Sequence, residues 1–401
     1  MRFSCALVPL TGDGLTKGHL DIIRRASVES VKTKVLIAIN SSKAGKEVFT
    51  QEERVAIARR AVKDEGIADV EVLSSEGLTA DFFLREGCDR IFRGYRNDAD
   101  LNYERLMASA NAEILMRSVE DSTVLLEADP KFSGISSSRI KEMVGLHQDV
   151  DRFVPLFQQQ MLQERMVGQF KIGVTGRIGV GKSFVAAALV KQARTAGLSA
   201  MHLNIDELLR SLYEEVGDGA QRVRDTISAK FGAACLYDSG RKVHRANLSR
   251  RITAEGEEGS AARMFLEELT KPHIGRLYRT ALTGFKGLVV LEWSQIAEQG
   301  MSNWVNGNVI VVDSPDRERF ITERQIEPER LAVFDQIQYP TEKKCEILER
   351  AAVLNHHGKV LLHQNIARPD PDVFKSDIKR LLERVQEALP GIPNNPSLMG
   401  V

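Results

Sequence analysis

Eight consecutive residues near the middle of the chain, Gly176-Arg177-Ile178-Gly179-Val180-Gly181-Lys182-Ser183, constrain its fold more than any other feature. They follow an apolar run at 170–175 and open an amphipathic one, FVAAALVKQA. A Gly-rich turn between a buried strand and a helix can wrap backbone N–H groups around an anion, and the helix N-terminus adds positive potential. The pattern predicts a phosphate-binding loop for a nucleotide such as ATP. Gly179, Val180 and Gly181 would offer N–H groups, with Phe184 beside them in the first helical turn. Lys182 would reach the β- and γ-phosphates, and the Ser183 hydroxyl would hold Mg²⁺. The bland alternative is a structural turn with an accidental Lys-Ser, and the flanking strand and helix argue against it.

A chain of 401 residues exceeds what one hydrophobic core usually supports, so two domains are expected. Before the phosphate loop, residues 5–9, 34–39, 70–73, 90–92 and 123–127 read as strands. Helical patterns at 19–30, 51–64, 79–85, 101–116 and 138–146 lie between and after them, and a helix at 154–166 closes the set. After it, strands are expected at 170–175, 200–205, 288–293, 309–313 and 352–354, with 207–285 almost wholly helical. Such alternation implies parallel sheets with helices on both faces. The expected class is α/β with two parallel-sheet domains, 1–167 and 168–390, the second carrying a helical insertion. The Pro-, Gly- and Asn-rich segment 391–401 reads as a loose tail.

Lys+Arg and Asp+Glu each total 55, so no global field favours nucleic acid or an anionic membrane. Anion binding must be local. The four cysteines (Cys5, Cys88, Cys235 and Cys345) form no C-x-x-C pair. That argues against zinc and a disulfide framework, and suits a reducing compartment. The opening apolar run is too short for a signal segment, and no stretch is long enough to span a bilayer. A cytoplasmic protein acting on small molecules is expected, and a homo-oligomer is compatible with the sequence.

Asp206 ends the strand after the phosphate-loop helix. There an acid can act as general base for an attacking hydroxyl, or simply cap the next helix. A basic run after Asp313 (Arg317, Arg319, Arg324 and Arg330) can form a mobile lid over the transferring phosphate, or a solvated face. The second half resembles dephospho-CoA kinase from Phe170 to Leu389. The likeness is carried by IGVTGRIGVGKS, the Asp206 strand end, FGAACLYDSGRKVHRANL with Arg245, LEELTKPHI, VIVVDSP, QYPTEKK, and Asn355 with Gly358. The resemblance implies a P-loop kinase domain, Asp206 as base for the ribose 3′-hydroxyl of dephospho-CoA, and Asn355 near the adenine of ATP. It also brings departures: Glu292-Trp-Ser-Gln-Ile replaces the usual Asp-Ile-Pro-Leu-Leu, and His244 precedes the Arg where an Asp is usual.

In the first half, Thr16-Lys17-Gly18-His19 falls between the first strand and the first helix. Gly18 lets backbone approach phosphate, and an imidazole donor can stabilise charge developing on phosphoryl oxygens. Arg93-Gly94-Tyr95-Arg96 ends another strand, and Ile135-Ser136-Ser137-Ser138-Arg139 opens another helix. Each is weak alone, but all would gather at the carboxyl ends of one sheet. Together with SSKAGKEVFTQEERVAIA and RGYRNDADLNYE they resemble phosphopantetheine adenylyltransferase from Leu7 to about Met166. The resemblance implies a Rossmann-like nucleotidyltransferase domain with His19 stabilising the transition state. Thr11, Lys43, Thr79 and Arg93 would meet 4′-phosphopantetheine, with Lys46 a rival to Lys43. Thr11, His19, Gly94, Arg96, Glu104, Ser133, Ile135, Ser136, Ser137 and Ser138 would meet ATP. Where that family reads Gly-Thr-Phe-Asp-Pro, this chain has Leu10-Thr11-Gly12-Asp13-Gly14, and the extra glycines predict a loop with entropy to lose on binding.

The two resemblances are successive steps, with dephospho-CoA the product of one and the substrate of the other. Two rival readings remain at this level. One is a nicotinamide mononucleotide adenylyltransferase–nicotinamide riboside kinase fusion. The other is an active kinase joined to a decayed nucleotide-sensing module.

Overall fold

A computed structural model describes residues 2–38, 47–252, 254, 256–367, 371–389 and 391. The chain divides into two compact units, Met1–Val167 and Gly168–Val401. In the first, strands β1 (Phe3–Leu10), β2 (Ser30–Ala38), β3 (Val70–Ser75), β4 (Arg90–Tyr95) and β5 (Thr123–Glu127) form one parallel sheet in the order β3-β2-β1-β4-β5. Successive residues of β1 serve opposite faces, as the strand period demands. Ala6 and Val8 pack into one core with Leu20, Ile23, Ala58 and Phe157, whereas Cys5 and Leu7 pack into another with Phe82, Phe83 and Leu115. Both faces are therefore covered, and most polar groups gather at the strand ends.

Local chemistry sets where the helices begin. Thr16 caps helix Lys17–Glu29, and Thr50 caps helix Gln51–Asp64 in a reciprocal box with Glu53. Each box satisfies backbone N–H groups that a helix start leaves without partners.

The second unit repeats the plan. Strands β6 (Gln169–Thr175) and β7 (Ala200–Asn204) precede a two-stranded antiparallel hairpin, β8 (Leu236–Tyr237) and β9 (Lys242–Val243). Strands β10 (Gly287–Glu292), β11 (Asn308–Asp313) and β12 (Lys359–Gln364) complete a parallel sheet in the order β12-β11-β6-β10-β7. Leu288 and Val290 face one core with Ile310 and Val312, while Val289 and Leu291 face the other with Val309 and Val311. Helices Ile205–Glu214, Asp218–Phe231, Arg245–Ile252 and Gly256–Leu282 form the insertion around their own core of Leu212, Val223, Ile227 and Leu266.

The insertion is almost wholly helical, as expected, interrupted where Asp238, Ser239 and Gly240 adopt positive φ and turn β8 into β9. One expectation needs correction. The expected strand at 352–354 is instead the end of helix Thr341–Leu354, and β12 comes afterwards. Apolar Val353 and Leu354 suggested a buried strand, yet both are exposed on the last helical turn. The turn that follows needs Gly358 at φ +109°, where a Cβ would lie 2.6 Å from the Gly307 carbonyl oxygen. The expected tail beyond Gly391 lies outside the described residues.

Gly94 fixes how closely helix Lys17–Glu29 approaches β4. A Cβ there would stand 2.8 Å from Ile22 Cγ1, inside contact distance and not at the end of a flexible chain. Gly94→Ala is expected to destabilise the first unit by about 1–3 kcal/mol through overpacking. Chemical denaturation read by circular dichroism checks it, and an unchanged midpoint would refute the close approach.

Candidate active sites

In the first unit the chain reverses direction of strand addition between β1 and β4, the place where open α/β sheets bind ligands. The loop leaving β1 is held firmly. The Asp13 carboxylate accepts from the backbone N–H of Val48 at 3.0 Å and of Phe49 at 3.1 Å, and pairs with Lys141. Ser137 donates to the Gly14 carbonyl at 2.8 Å, and Arg54 to the Thr11 carbonyl at 2.9 Å. Gly12 and Gly14 sit at φ +72° and +91°, where a side chain would be strained. The expectation of a loose loop is therefore corrected: the glycines permit a conformation that Asp13, Ser137 and Arg54 lock.

His19 closes the first helical turn. Its Nδ1 lies 3.0 Å from the Thr16 backbone N–H and 2.8 Å from the Thr16 hydroxyl. A backbone N–H can only donate, so Nδ1 accepts and the ring proton sits on Nε2. Burial against the protein, reinforced by the Arg96 guanidinium, lowers the imidazole from 6.5 to about 4. His19 is thus a neutral Nε2–H donor at physiological pH.

The structure brings Arg96 and the serine-rich turn together. Arg96 pairs with Asp100 at 2.5 Å and donates to the Ile135 carbonyl at 3.0 Å. Ser136 caps helix Ser137–Gly145 by accepting from the Arg139 N–H at 3.1 Å, which leaves its own proton for a ligand. Ser133 donates to the Pro130 carbonyl at 2.9 Å, and Ser138 is exposed in the first turn of the helix. Arg93 and Glu104 form an ion pair with each other, so one residue expected at phosphopantetheine and one expected at ATP are neighbours. Thr79 begins helix Thr79–Arg85, just after β3. Lys43 and Lys46 lie outside the described residues.

In the second unit the loop after β6 turns at Gly176, Gly179 and Gly181, all at positive φ, into helix Lys182–Thr195. Lys182 Nζ donates to the Arg177 carbonyl at 2.8 Å. Burial lowers its ammonium from 10.5 to about 8, against the pull of Glu292 and Asp206. Asp206 opens onto the cleft, yet surrounding protein desolvates its carboxyl and raises it above the ordinary range, with Lys182 opposing. The capping alternative for Asp206 fails, because Asn204 caps helix Ile205–Glu214 and accepts from the Asp206 and Glu207 N–H groups. That leaves the Asp206 carboxylate in the field of Lys182, Glu292, Arg210 and Arg245.

Ser183 donates to Glu292 at 2.6 Å, and His202 and Asn204 hold the other Glu292 oxygen at 2.8 and 2.9 Å. Burial pushes the Glu292 carboxyl up, but the bonds from His202 and Ser183 outweigh it and hold the group below its usual range. Gln338 accepts from the Ile178 N–H at 2.7 Å, tying the phosphate loop to the QYPTEKK segment. Arg317 and Arg177 share Asp335 at 2.5 and 2.8 Å, whereas Arg319 pairs with Glu323 at 2.7 Å. The Arg330 side chain lies outside the described residues.

Beside the loop, a cavity of about 440 Å³ is lined by Gly181, Phe184, Arg324, Ile366 and Phe374, with the Phe184 and Phe374 rings stacked at 4.6 Å. A flat base could lie against such apolar walls. Asn355 is not there: it ends helix Thr341–Leu354, at the opposite end of β12 from the phosphate loop. The asparagine against the loop is Asn365, which donates to the Val180 carbonyl at 2.9 Å. Ten positions and the whole of β12 separate the two. A larger, shallow hollow of about 710 Å³ between Lys191 and His202 lies off the phosphate loop and carries none of its groups.

Comparison with known proteins agrees with this division. The cytidylyltransferase-like family model matches residues 12–143, and the dephospho-CoA kinase model matches residues 170–359. The phosphopantetheine adenylyltransferase of Leuconostoc mesenteroides is 40% identical over 169 residues, covering 42% of this chain and 99% of that protein. Its counterpart in Clostridium perfringens is 39% identical over 159 residues, covering 40% of this chain and 93% of that protein. The chain belongs to the phosphopantetheine adenylyltransferase family. Its second unit adds a dephospho-CoA kinase domain.

Among the described residues no cluster of three or more His, Cys, Asp or Glu could cage a metal ion by itself. Mg²⁺ keeps waters and substrate phosphates as ligands and takes only one or two groups from protein. Ser183, with its proton on Glu292, and the ionised Glu292 fit that donor set. Sequence reasoning missed His202, Asn204, Asn365 and Phe374, and reached Gln338 only as part of the QYPTEKK run. Only His202 and Asn204 left a readable trace, as two polar residues spaced by two on a strand that leads to Asp206.

For His19, a titration of ¹⁵N-histidine-labelled protein without nucleotide is expected to show an Nε2–H tautomer with a midpoint near 4. The depressed value makes the fold favour the neutral ring, so its contribution to stability is complete above 6.5 and fades as pH falls toward 4. An ordinary midpoint near 6.5 would show that the ring is not held this way.

Proposed function

We propose that this chain performs the last two steps of coenzyme A biosynthesis. It transfers adenylyl from ATP to 4′-phosphopantetheine, and then phosphorylates the ribose 3′-hydroxyl of dephospho-CoA with a second ATP. The observation that carries the reading is the union, in one chain, of an adenylyltransferase-family unit holding His19 and a kinase-domain unit whose glycine loop runs into helix Lys182–Thr195 with Ser183 bonded to Glu292.

In the first reaction a phosphate oxygen of phosphopantetheine attacks the α-phosphorus of ATP, and the bond to pyrophosphate breaks. His19 donates from Nε2 to the oxygens on which charge grows, and its lowered basicity keeps it a hydrogen-bond donor without placing a full charge there. Arg96 and the hydroxyls of Ser136 and Ser138 hold ATP, while Thr11 and Arg93 receive the acceptor. Arg93 then exchanges its carboxylate partner Glu104 for substrate phosphate.

In the second reaction the ribose hydroxyl gives its proton to Asp206 while its oxygen attacks the γ-phosphorus, and ADP leaves. Burial raises the basicity of Asp206, which suits it to accept that proton. Lys182 and the loop N–H groups cradle the phosphates, Arg324 serves the lid, and Phe184 and Phe374 flank the base. Mg²⁺ bound with Ser183 supplies charge neutralisation at the transferring phosphate. Substrates of this kind, ATP and a thiol-bearing precursor, point to the cytoplasm. The sensor reading loses its motive, because the loop after β1 is locked in place.

Two variants of the full chain test the assignment. His19→Ala is expected to slow dephospho-CoA formation by about 10²–10³-fold while phosphorylation of added dephospho-CoA continues. Loss of both activities would refute independent sites. Lys182→Ala is expected to make dephospho-CoA accumulate from phosphopantetheine and ATP, as product analysis by chromatography would show; undiminished CoA would contradict the kinase site.

A further inference from the structure

Every hydrogen bond to the Glu292 carboxylate has one direction. A carboxylate can only accept, so Ser183, His202 and Asn204 all donate, and His202 carries its proton on Nε2. Asn204 is the direct partner of Glu292 in the β7–β10 register, and His202 lies two residues earlier on the same face. The carboxylate is only 4% exposed, so its donors come from the protein. Ser183, in contrast, faces the open cleft.

A serine hydroxyl has one proton and two lone pairs. When the proton is committed to Glu292, the lone pairs are left for a cation; when it is free, it can turn to a phosphate oxygen and carry the lone pairs away. The state of Ser183 therefore depends on where Glu292 points. Glutamate has one more rotatable bond than the aspartate expected at this strand end from the kinase resemblance, and so more rotamers to restrain. Two donors on its far oxygen supply that restraint.

We propose that His202, supported by Asn204, is a positioning residue for phosphoryl transfer: it pins Glu292 so that the Ser183 oxygen stays open to Mg²⁺. The proposal rests on the kinase reading of the second unit. His202 acts through Glu292, the carboxylate it holds at 2.8 Å. A residue that merely satisfied a buried carboxylate would affect folding alone, whereas a positioning residue affects the response to Mg²⁺.

The test compares the full-length protein with His202→Leu and His202→Gln, following phosphorylation of added dephospho-CoA across a Mg²⁺ series. His202→Leu is expected to raise the Mg²⁺ concentration for half-maximal rate by about 10-fold or more, as loss of an outer partner of a metal site typically does. The KM for dephospho-CoA should stay unchanged. His202→Gln keeps a side-chain donor and should recover most of the response. An unchanged Mg²⁺ dependence in His202→Leu overturns the proposal, and so does a Gln variant as impaired as the Leu variant. Should His202→Leu fail to fold, nuclear magnetic resonance of ¹⁵N-histidine-labelled wild type decides. One imidazole Nε2–H signal, absent from His202→Gln, should exchange slowly with solvent and shift when Mg²⁺ and a non-hydrolysable ATP analogue are added together. Rapid exchange or no shift counts against the proposal. A wild-type chain that phosphorylates no dephospho-CoA at any Mg²⁺ concentration instead removes the kinase reading, and the proposal with it.

Discussion

Parallel strands covered by helices on both faces leave most room for polar groups where the chain leaves the sheet. In both units the strand interiors are mostly apolar, with buried Lys34 in β2 and Lys171 in β6 as exceptions, and the charged side chains of the clefts gather at carboxyl ends: Arg93 and Arg96 at β4, Asp206 after β7, Glu292 at the tip of β10. Backbone N–H groups freed at the following helix starts face the same way. An anion entering either cleft meets helix-start N–H groups together with Arg93, Arg96 and Lys182, which exchange their internal partners for it. This constraint makes polyphosphate the natural ligand of both units.

The two clefts use opposite electrostatic strategies. His19 is kept neutral, its basicity lowered by burial and by Arg96, so it offers a hydrogen bond without a competing charge. In the second unit Lys182, Asp206 and Glu292 are partly desolvated together and balance one another. Removing Lys182 would leave the two carboxylates without the cation they share, which is costly in a low-dielectric setting. The adenylyltransferase needs donors around developing charge, whereas the kinase must also take a proton from a hydroxyl. The distribution of titratable groups follows that difference.

The loop after β1 shows how a departure from a family pattern can be absorbed. Two glycines replace stiffer residues, yet Asp13 receives the Val48 and Phe49 N–H groups and Lys141, while Gly14 receives Ser137. Long-range side-chain contacts supply the order that the local sequence lacks. Glu292 follows the same logic, its extra rotamer freedom removed by His202 and Asn204 on the neighbouring strand.

Local patterns in the sequence were enough to establish two α/β units, the phosphate loop from Gly176 to Ser183, the Thr16–His19 helix start and the Asp206 strand end. These depend on short-range rules: strand period, helix capping, and the glycines a tight anion-binding turn requires. What only the tertiary structure decided lies in pairings between distant segments. The capping of the helix after β7 by Asn204, the placing of Asn365 rather than Asn355 at the phosphate loop, and the locking of Asp13 by Val48, Phe49 and Lys141 all join residues through the packed sheet. Apolar Val353 and Leu354 misled for a related reason, since short apolar runs do not distinguish an exposed last helical turn from a buried strand. Side-chain partners separated by tens of residues leave no periodic mark on a chain, so only the folded geometry reveals them.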